Sequence, residues 1–228
     1  MHTIHGFLDV SPLWTITTAA LAGHAGLVRR LHHRHPTRFD HCSQEAMDAA
    51  AEFGHLAILQ WLHDHRDEGC TTDAMDLAAT NGHLDVVQWL HLHRNEGCTT
   101  LAMDGAAQNG HLDVLQWLHR HRDEGCTTLA MDNAAKNGHL DVLQFLQRNR
   151  SEGCSKSALS NACAEGHRDI ALWLLQARPH DCSASRILDA IDHAVAYGHC
   201  ELAEWLTERW LGIATDQEVE EEPQDTGM

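Results

Sequence analysis

Apolar residues return along this chain with a period of 28. Leu84, Val86, Val87, Trp89 and Leu90 recur as Leu112, Val114, Leu115, Trp117 and Leu118, then as Leu140, Val142, Leu143, Phe145 and Leu146. Within each set the spacing is that of one face of a helix. Each set follows a dipeptide Gly-His, found at Gly23, Gly54, Gly82, Gly110, Gly138, Gly166 and Gly198, with four consecutive intervals of 28 and outer intervals of 31 and 32. The segment before each Gly-His predicts a first, shorter helix. Its opening carries Ser or Thr at one fixed place (Ser43, Thr71, Thr99, Thr127, Ser155, Ser183), the natural N-cap, and the Asn-Gly turn or its equivalent ends it. In the second helix Asp85, Asp113, Asp141 and Asp169 lie in the first turn and Arg66, Arg94, Arg122, Arg150 and Arg178 in the last, each sign matching the helix dipole. Gly69, Gly97, Gly125 and Gly153 then stop it.

A helix pair of this size cannot bury its apolar face alone; stacked neighbours do it, which predicts a solenoid. The array is expected to run over residues 14–212 with about seven units, after a lead-in at 1–13. Residues 213–228 hold six acidic and few apolar side chains and read as an acidic, disordered tail.

Composition narrows the function. Hydrophobic residues make up 43% and charged residues 21%, an ordinary soluble balance, and no segment offers the roughly 18 apolar residues of a membrane helix. The net charge of -17 repels phosphate backbones and anionic lipid, so neither nucleic acid nor a membrane is the expected partner. The N-terminal apolar stretch has no Lys or Arg before Arg29 and is broken by Asp9 and Pro12, so it is not read as a secretion signal. A cytoplasmic protein is expected, with a nuclear location left open.

The repeated string Ala-Met-Asp-x-Ala-Ala-x-Asn-Gly-His-Leu-Asp-Val-x-Gln-Trp-Leu-His resembles the ankyrin repeat, with its Ala-Ala inner helix, Asn-Gly-His turn and Leu-rich outer helix. The resemblance covers about seven-eighths of the chain and implies an all-α, ankyrin-type α-solenoid of helix-turn-helix repeats. It also implies recognition of a protein on the inner-helix face. Two departures stand out. Ala74, Met75 and Asp76 replace the family's Thr-Pro-Leu-His turn, and the unit is about five residues shorter than the usual 33. Connections as short as Glu96-Gly97-Cys98 therefore predict reduced or absent β-hairpins.

Residues that recur in every unit do one architectural job per unit, whereas an active site is a singular constellation. Six of the eight cysteines (Cys42, Cys70, Cys98, Cys126, Cys154, Cys182) form a column too widely spaced for disulfides and read as buried thiols; Cys163 and Cys200 replace core residues. The Asp48, Asp76, Asp104 and Asp132 column fits repeated hydrogen bonding better than acid-base catalysis. His55, His83, His111, His139 and His167 sit where an imidazole can bond the turn backbone. The pairs His63/His65, His91/His93 and His119/His121 diverge by about 200° around their helix, so no pair chelates a metal, although His63, His91 and His119 could align across copies. That alignment keeps a metal- or pH-responsive protein as the alternative reading. Phosphate loops, nucleophile elbows and HExxH are missing from the sequence, and neither catalysis, a cofactor nor a resident metal is expected.

Variation among the units concentrates at their fourth, eighth and eleventh places, one stripe on the outward face of the first helix. Near-identical neighbours constrain buried positions, so the variable ones should face solvent. The expected partner-binding residues are Asp73, Leu77, Leu101, Gly105, Gln108, Leu129, Asn133 and Lys136. The chain is thus read as a monomeric, non-catalytic scaffold or adaptor for a protein partner.

Overall fold

A computed structural model describes residues 14–34, 43–179 and 182–218. Among these residues there are fourteen α-helices and no strand. By contacts the chain divides into two units, Met1–Ala106 with Asp113–Gly125, and Ala107–Leu112 with Cys126–Met228.

In the first unit the inner helices α1 (Ile16–Leu21), α3 (Ser43–Glu52) and α5 (Asp73–Thr80) pack in sequence. Each is followed by an outer helix: α2 (Ala25–Arg34), α4 (Leu56–His65) and α6 (Leu84–His93). The same unit takes α7 (Thr100–Gln108) as far as Ala106 and most of α8 (Leu112–His121). In the second unit α9 (Thr128–Asn137), α11 (Ser157–Ala164) and α13 (Ala184–Ala196) are the inner row. Their outer partners are α10 (Leu140–Asn149), α12 (Arg168–Ala177) and α14 (Cys200–Glu218). Each unit is a stack of helix pairs, and the fold class is the all-α ankyrin-type solenoid. The joint at Glu96-Gly97-Cys98 is irregular backbone after a bend at Asn95, with no strand.

Small side chains set the inner row. Ala78 and Ala79 are fully buried, as are Ala50 and Ala51 before them and Ala134 and Ala135 in the second unit. Alanine lets neighbouring helices approach closely, and Met47, Met75 and Met131 fill the space beside them. The outer row contributes Val86, Val87 and Leu90, and their counterparts Val142, Leu143 and Leu146, all at most 1% exposed. Each such leucine is worth about 1.5–3 kcal/mol of burial, which a lone pair of helices could not collect.

Hydrogen bonds lock one pair to the next. The Nδ2 of Asn81 donates to the Glu52 carbonyl at 3.0 Å, and that of Asn137 to the Gln108 carbonyl at 2.7 Å. Each asparagine thus satisfies a carbonyl at the C-terminus of the preceding inner helix.

Two boundaries differ from expectation in instructive ways. The 32-residue interval before Gly198 is taken up by α13, which at 13 residues exceeds the 8 of α11 by more than a turn. At the other end α14 continues through Gly212 to Glu218, so residues 213–218 extend a helix where the disordered tail was expected to begin. Helix-tolerant Ala214, Gln217 and Glu218 follow that glycine, and no proline intervenes before Pro223. The lead-in at 1–13 and residues 219–228 lie outside the described residues, as does Cys42. Among the described residues no helix is long and apolar enough to cross a membrane.

Candidate partner-binding face

In the first unit the hydroxyl of Thr99 accepts the N–H of Leu101 at 3.1 Å and so starts α7. That cap points Leu101 outward, 59% exposed, while Ala102 and Met103 turn into the core. Thr71 does the same for Asp73, which is exposed. Leu77 is half-buried. Gly105 has a packing reason: a Cβ there would collide with the Thr80 hydroxyl, which donates to the Asp76 carbonyl at 2.8 Å.

In the second unit Thr127 caps α9 by accepting the N–H of Leu129 at 3.1 Å, leaving Leu129 52% exposed. Gln108 and Lys136 are exposed, and the Asn133 amide donates to Gln108 Oε1 at 3.0 Å. The Gln108 and Asn133 side chains are therefore tied to each other.

The aspartate column is a set of staples between repeats. Asp48 accepts both the N–H and the hydroxyl of Thr71, each at 2.9 Å, and Asp76 accepts those of Thr99 at 2.8 and 2.7 Å. Asp132 accepts the N–H of Ser155 at 2.8 Å. Burial pushes the Asp48 and Asp76 carboxyls above the usual carboxylate range, against the pull of these hydrogen bonds. Asp48, Asp76 and Asp132 are thus each spent on the cap of the following repeat.

The turn histidines reach backwards. The ring of His55 lies over Gly23, with its Nε2 3.2 Å from the Leu21 carbonyl, and His167 lies over Gly138 with its Nε2 3.0 Å from the Lys136 carbonyl. His83 covers Gly54 in the same way, so each bonds or packs on the preceding turn rather than its own.

The paired histidines divide their work. The Nδ1–H of His65, His93 and His121 donates at 2.8 Å to the carbonyl of the tryptophan four residues earlier, and each ring stacks on that indole at 4.4–4.5 Å. His63 and His91 instead meet the tryptophan of the next repeat edge-on, His63 against Trp89 and His91 against Trp117, both at 5.2 Å. The Arg94 guanidinium donates to His63 Nδ1 at 3.3 Å. Burial, and then Arg66, lowers the His32 pKa. Among the described residues no three His, Cys, Asp or Glu side chains converge where a metal could sit, so the geometry lends nothing to the metal-responsive alternative.

An element that the sequence reading missed is the Arg-x-Glu clasp. Arg66, Arg94, Arg122 and Arg150 each grip the glutamate two residues on, Glu68, Glu96, Glu124 and Glu152, through two guanidinium nitrogens. Burial opposes ionisation of Glu96, but the Arg94 guanidinium outweighs it and holds the carboxyl at about 2. The clasp also explains the glycine before each cysteine: Gly69 has φ +77°, and a Cβ there would collide with Arg94 Nη2. The signal was present in sequence as Arg-x-Glu-Gly-Cys, but the helix-dipole role hid it.

Burial pushes the thiols of Cys70 and Cys163 up to about 12 and that of Cys98 to about 11, which leaves them inert. Cys200 departs from the expected burial and is exposed, because it lies on the uncovered side of the last pair. Leu92, 76% exposed on α6, is a large apolar residue that the inner-helix stripe did not anticipate.

The family described as ankyrin repeats (3 copies) matches residues 103–186 and 133–218, and that described as ankyrin repeats (many copies) matches residues 75–119. No curated protein matches the chain. The family matches fall on the helix pairs, turn glycines and inter-repeat hydrogen bonds described above, and the chain is a member of the ankyrin-repeat family.

Proposed function

We propose that the protein is a non-catalytic scaffold or adaptor that binds a protein partner through the outward face of its inner helices. Ankyrin repeats generally mediate protein–protein interaction. The observation that carries the finer reading is the exposure of Leu101 and Leu129, two large apolar side chains held outward by their own caps on helices that otherwise bury their apolar residues. Asp73, Leu77 and Gly105 accompany the first, and Gln108, Asn133 and Lys136 the second, giving each leucine a small or polar surround. An apolar anchor rimmed by polar groups is the common anatomy of a recognition surface.

The non-catalytic reading is supported by how several titratable groups are used: Asp76 on a cap, Glu96 on an arginine, and the Cys70 thiol held protonated by burial. A cytoplasmic location and a partner that is protein rather than nucleic acid complete the reading, the latter on the charge of -17.

The test is the double variant Leu101→Glu with Leu129→Glu, used as bait beside the wild type in crosslinked capture. Loss of the captured partner with unchanged helicity and melting temperature supports the reading, since no buried side chain is altered. Capture that survives the double variant overturns it.

A further inference from the structure

We propose that the face formed by α13 and α14 docks a second copy of this chain, which stacks its own α1–α2 pair there and continues the repeat register from one molecule into the next. Among the described residues nothing covers this face, where earlier repeats are covered. Val195 stands three residues before its turn glycine, as do Ala20, Ala51, Ala79, Ala135 and Cys163; those five are fully buried, and Val195 is 56% exposed. It lines a groove of about 460 Å³ with Ile191, Cys200, Ala203, Thr207 and Glu208.

The turn itself has an empty seat. Gly23, Gly54, Gly138 and Gly166 each lie under the histidine ring of the next repeat, whereas at Gly198, with φ +86°, no atom among the described residues comes within 4 Å of a built Cβ. The first repeat supplies the missing piece. His24 occupies the same column, is exposed, and leans on Trp14 at 5.5 Å, with no glycine turn of an earlier repeat beneath it among the described residues. Seated on Gly198, a second copy's His24 would reach the Ala196 carbonyl, the counterpart of the Leu21 carbonyl that meets His55.

Charge selects the occupant. Between repeats, the side chain nine residues after one glycine meets the ring seven residues after the next: His32 with Trp61, His63 with Trp89, His91 with Trp117. At a junction between copies the same two places hold Thr207 and Arg30. Glu208 is next to Thr207 and Glu204 one turn before it, while Arg29 and Arg34 flank Arg30; all five charged side chains are exposed. The aromatic contact inside the stack thus gives way to a threonine bordered by two glutamates on one face and an arginine flanked by arginines on the other, surroundings of opposite charge. The chain's own C-terminal residues fit poorly, because Glu220, Glu221, Glu222 and Asp225 would be brought to an acidic rim. A contact between two different faces is heterologous and builds open chains or rings rather than closed two-fold dimers.

Sedimentation velocity of the full chain at rising concentration, in low and high salt, is the measurement. The proposal expects the mass to climb above 25.4 kDa in low salt and return to it in high salt. Arg29→Glu with Arg30→Glu makes both ends acidic, and Glu204→Arg with Glu208→Arg makes both basic. Each double variant alone should stay at monomer mass with unchanged circular dichroism, and mixing the two should restore association. A wild type that remains monomeric in every condition, as the sequence alone suggested, overturns the proposal; so does association of either variant alone at wild-type strength.

Discussion

Asp76 holds Thr99 of the following repeat by both carboxylate oxygens, Oδ1 on the backbone N–H at 2.8 Å and Oδ2 on the hydroxyl at 2.7 Å. Because Thr99 in turn caps α7 and sets Leu101 facing outward, the buried staple and the exposed anchor are two ends of one chain of hydrogen bonds. Asp76→Ala leaves a part-buried N–H unpaired and is expected to cost about 1–3 kcal/mol in a denaturant titration. Asp76→Asn keeps one acceptor and should cost less. Burial raises the Asp76 carboxyl above 3.8, so the native state binds its proton more readily than the unfolded one. The wild type's margin over Asp76→Asn is therefore full below pH 3.8 and shrinks as pH rises through the native pKa.

The Arg94–Glu96 clasp has the opposite pH dependence. Glu96 is held at about 2 against an ordinary 4.5, so its contribution is present above pH 4.5 and is lost as pH falls towards 2. Thermal melts of wild type and Glu96→Gln should differ at pH 6 and converge near pH 2. A gap that persists or widens in acid would assign the residue some other role.

Two glycines give substitutions of opposite sign. Gly69→Ala forces a side chain onto φ +77° and into the Arg94 guanidinium, and should destabilise by more than about 1 kcal/mol. Gly26 lies in α2 with open space around a built Cβ, and Gly26→Ala should be neutral or stabilise by up to about 1 kcal/mol. Equal effects in urea titrations would count against the packing described for the Glu-Gly-Cys joint.

Most of the architecture was legible because the 28-residue repeat writes each helix face several times over. The pairing of Ala78 and Ala79 with Val86, Val87 and Leu90 in one core follows from period alone. The caps at Thr99 and Thr127 and the hydrogen-bonding task of the aspartates were readable for the same reason, since each recurs in register. Contacts between repeats were not. Which tryptophan His63 would meet, or that His55 would sit on Gly23 rather than Gly54, depends on how far neighbouring pairs are offset, and periodicity is silent on offset. Within the candidate face, Leu101 and Leu129 were identifiable as variable places, whereas Gly105 needed the position of Thr80 to reveal a packing role. Cys200 was misjudged because it occupies a core-like column at a face that no following pair covers among the described residues.

Thiol labelling separates these environments in one experiment. In native protein Cys200 should react with a maleimide within the dead time of the others, while Cys70, Cys98 and Cys163 react only on unfolding. Rapid labelling of Cys163 in the folded state would contradict its placement in the inner row.

The central claim, that a protein partner is read by the inner helices, is tested most directly by placing a photo-crosslinking residue at Leu101 or Leu129 and, separately, at Gln60 or Arg120, exposed positions on the outer helices α4 and α8. Mass spectrometry of the adducts then counts which sites lie against a partner. The account predicts one common partner crosslinked from Leu101 and Leu129 and not from Gln60 or Arg120; a partner crosslinked from the outer positions alone would contradict it.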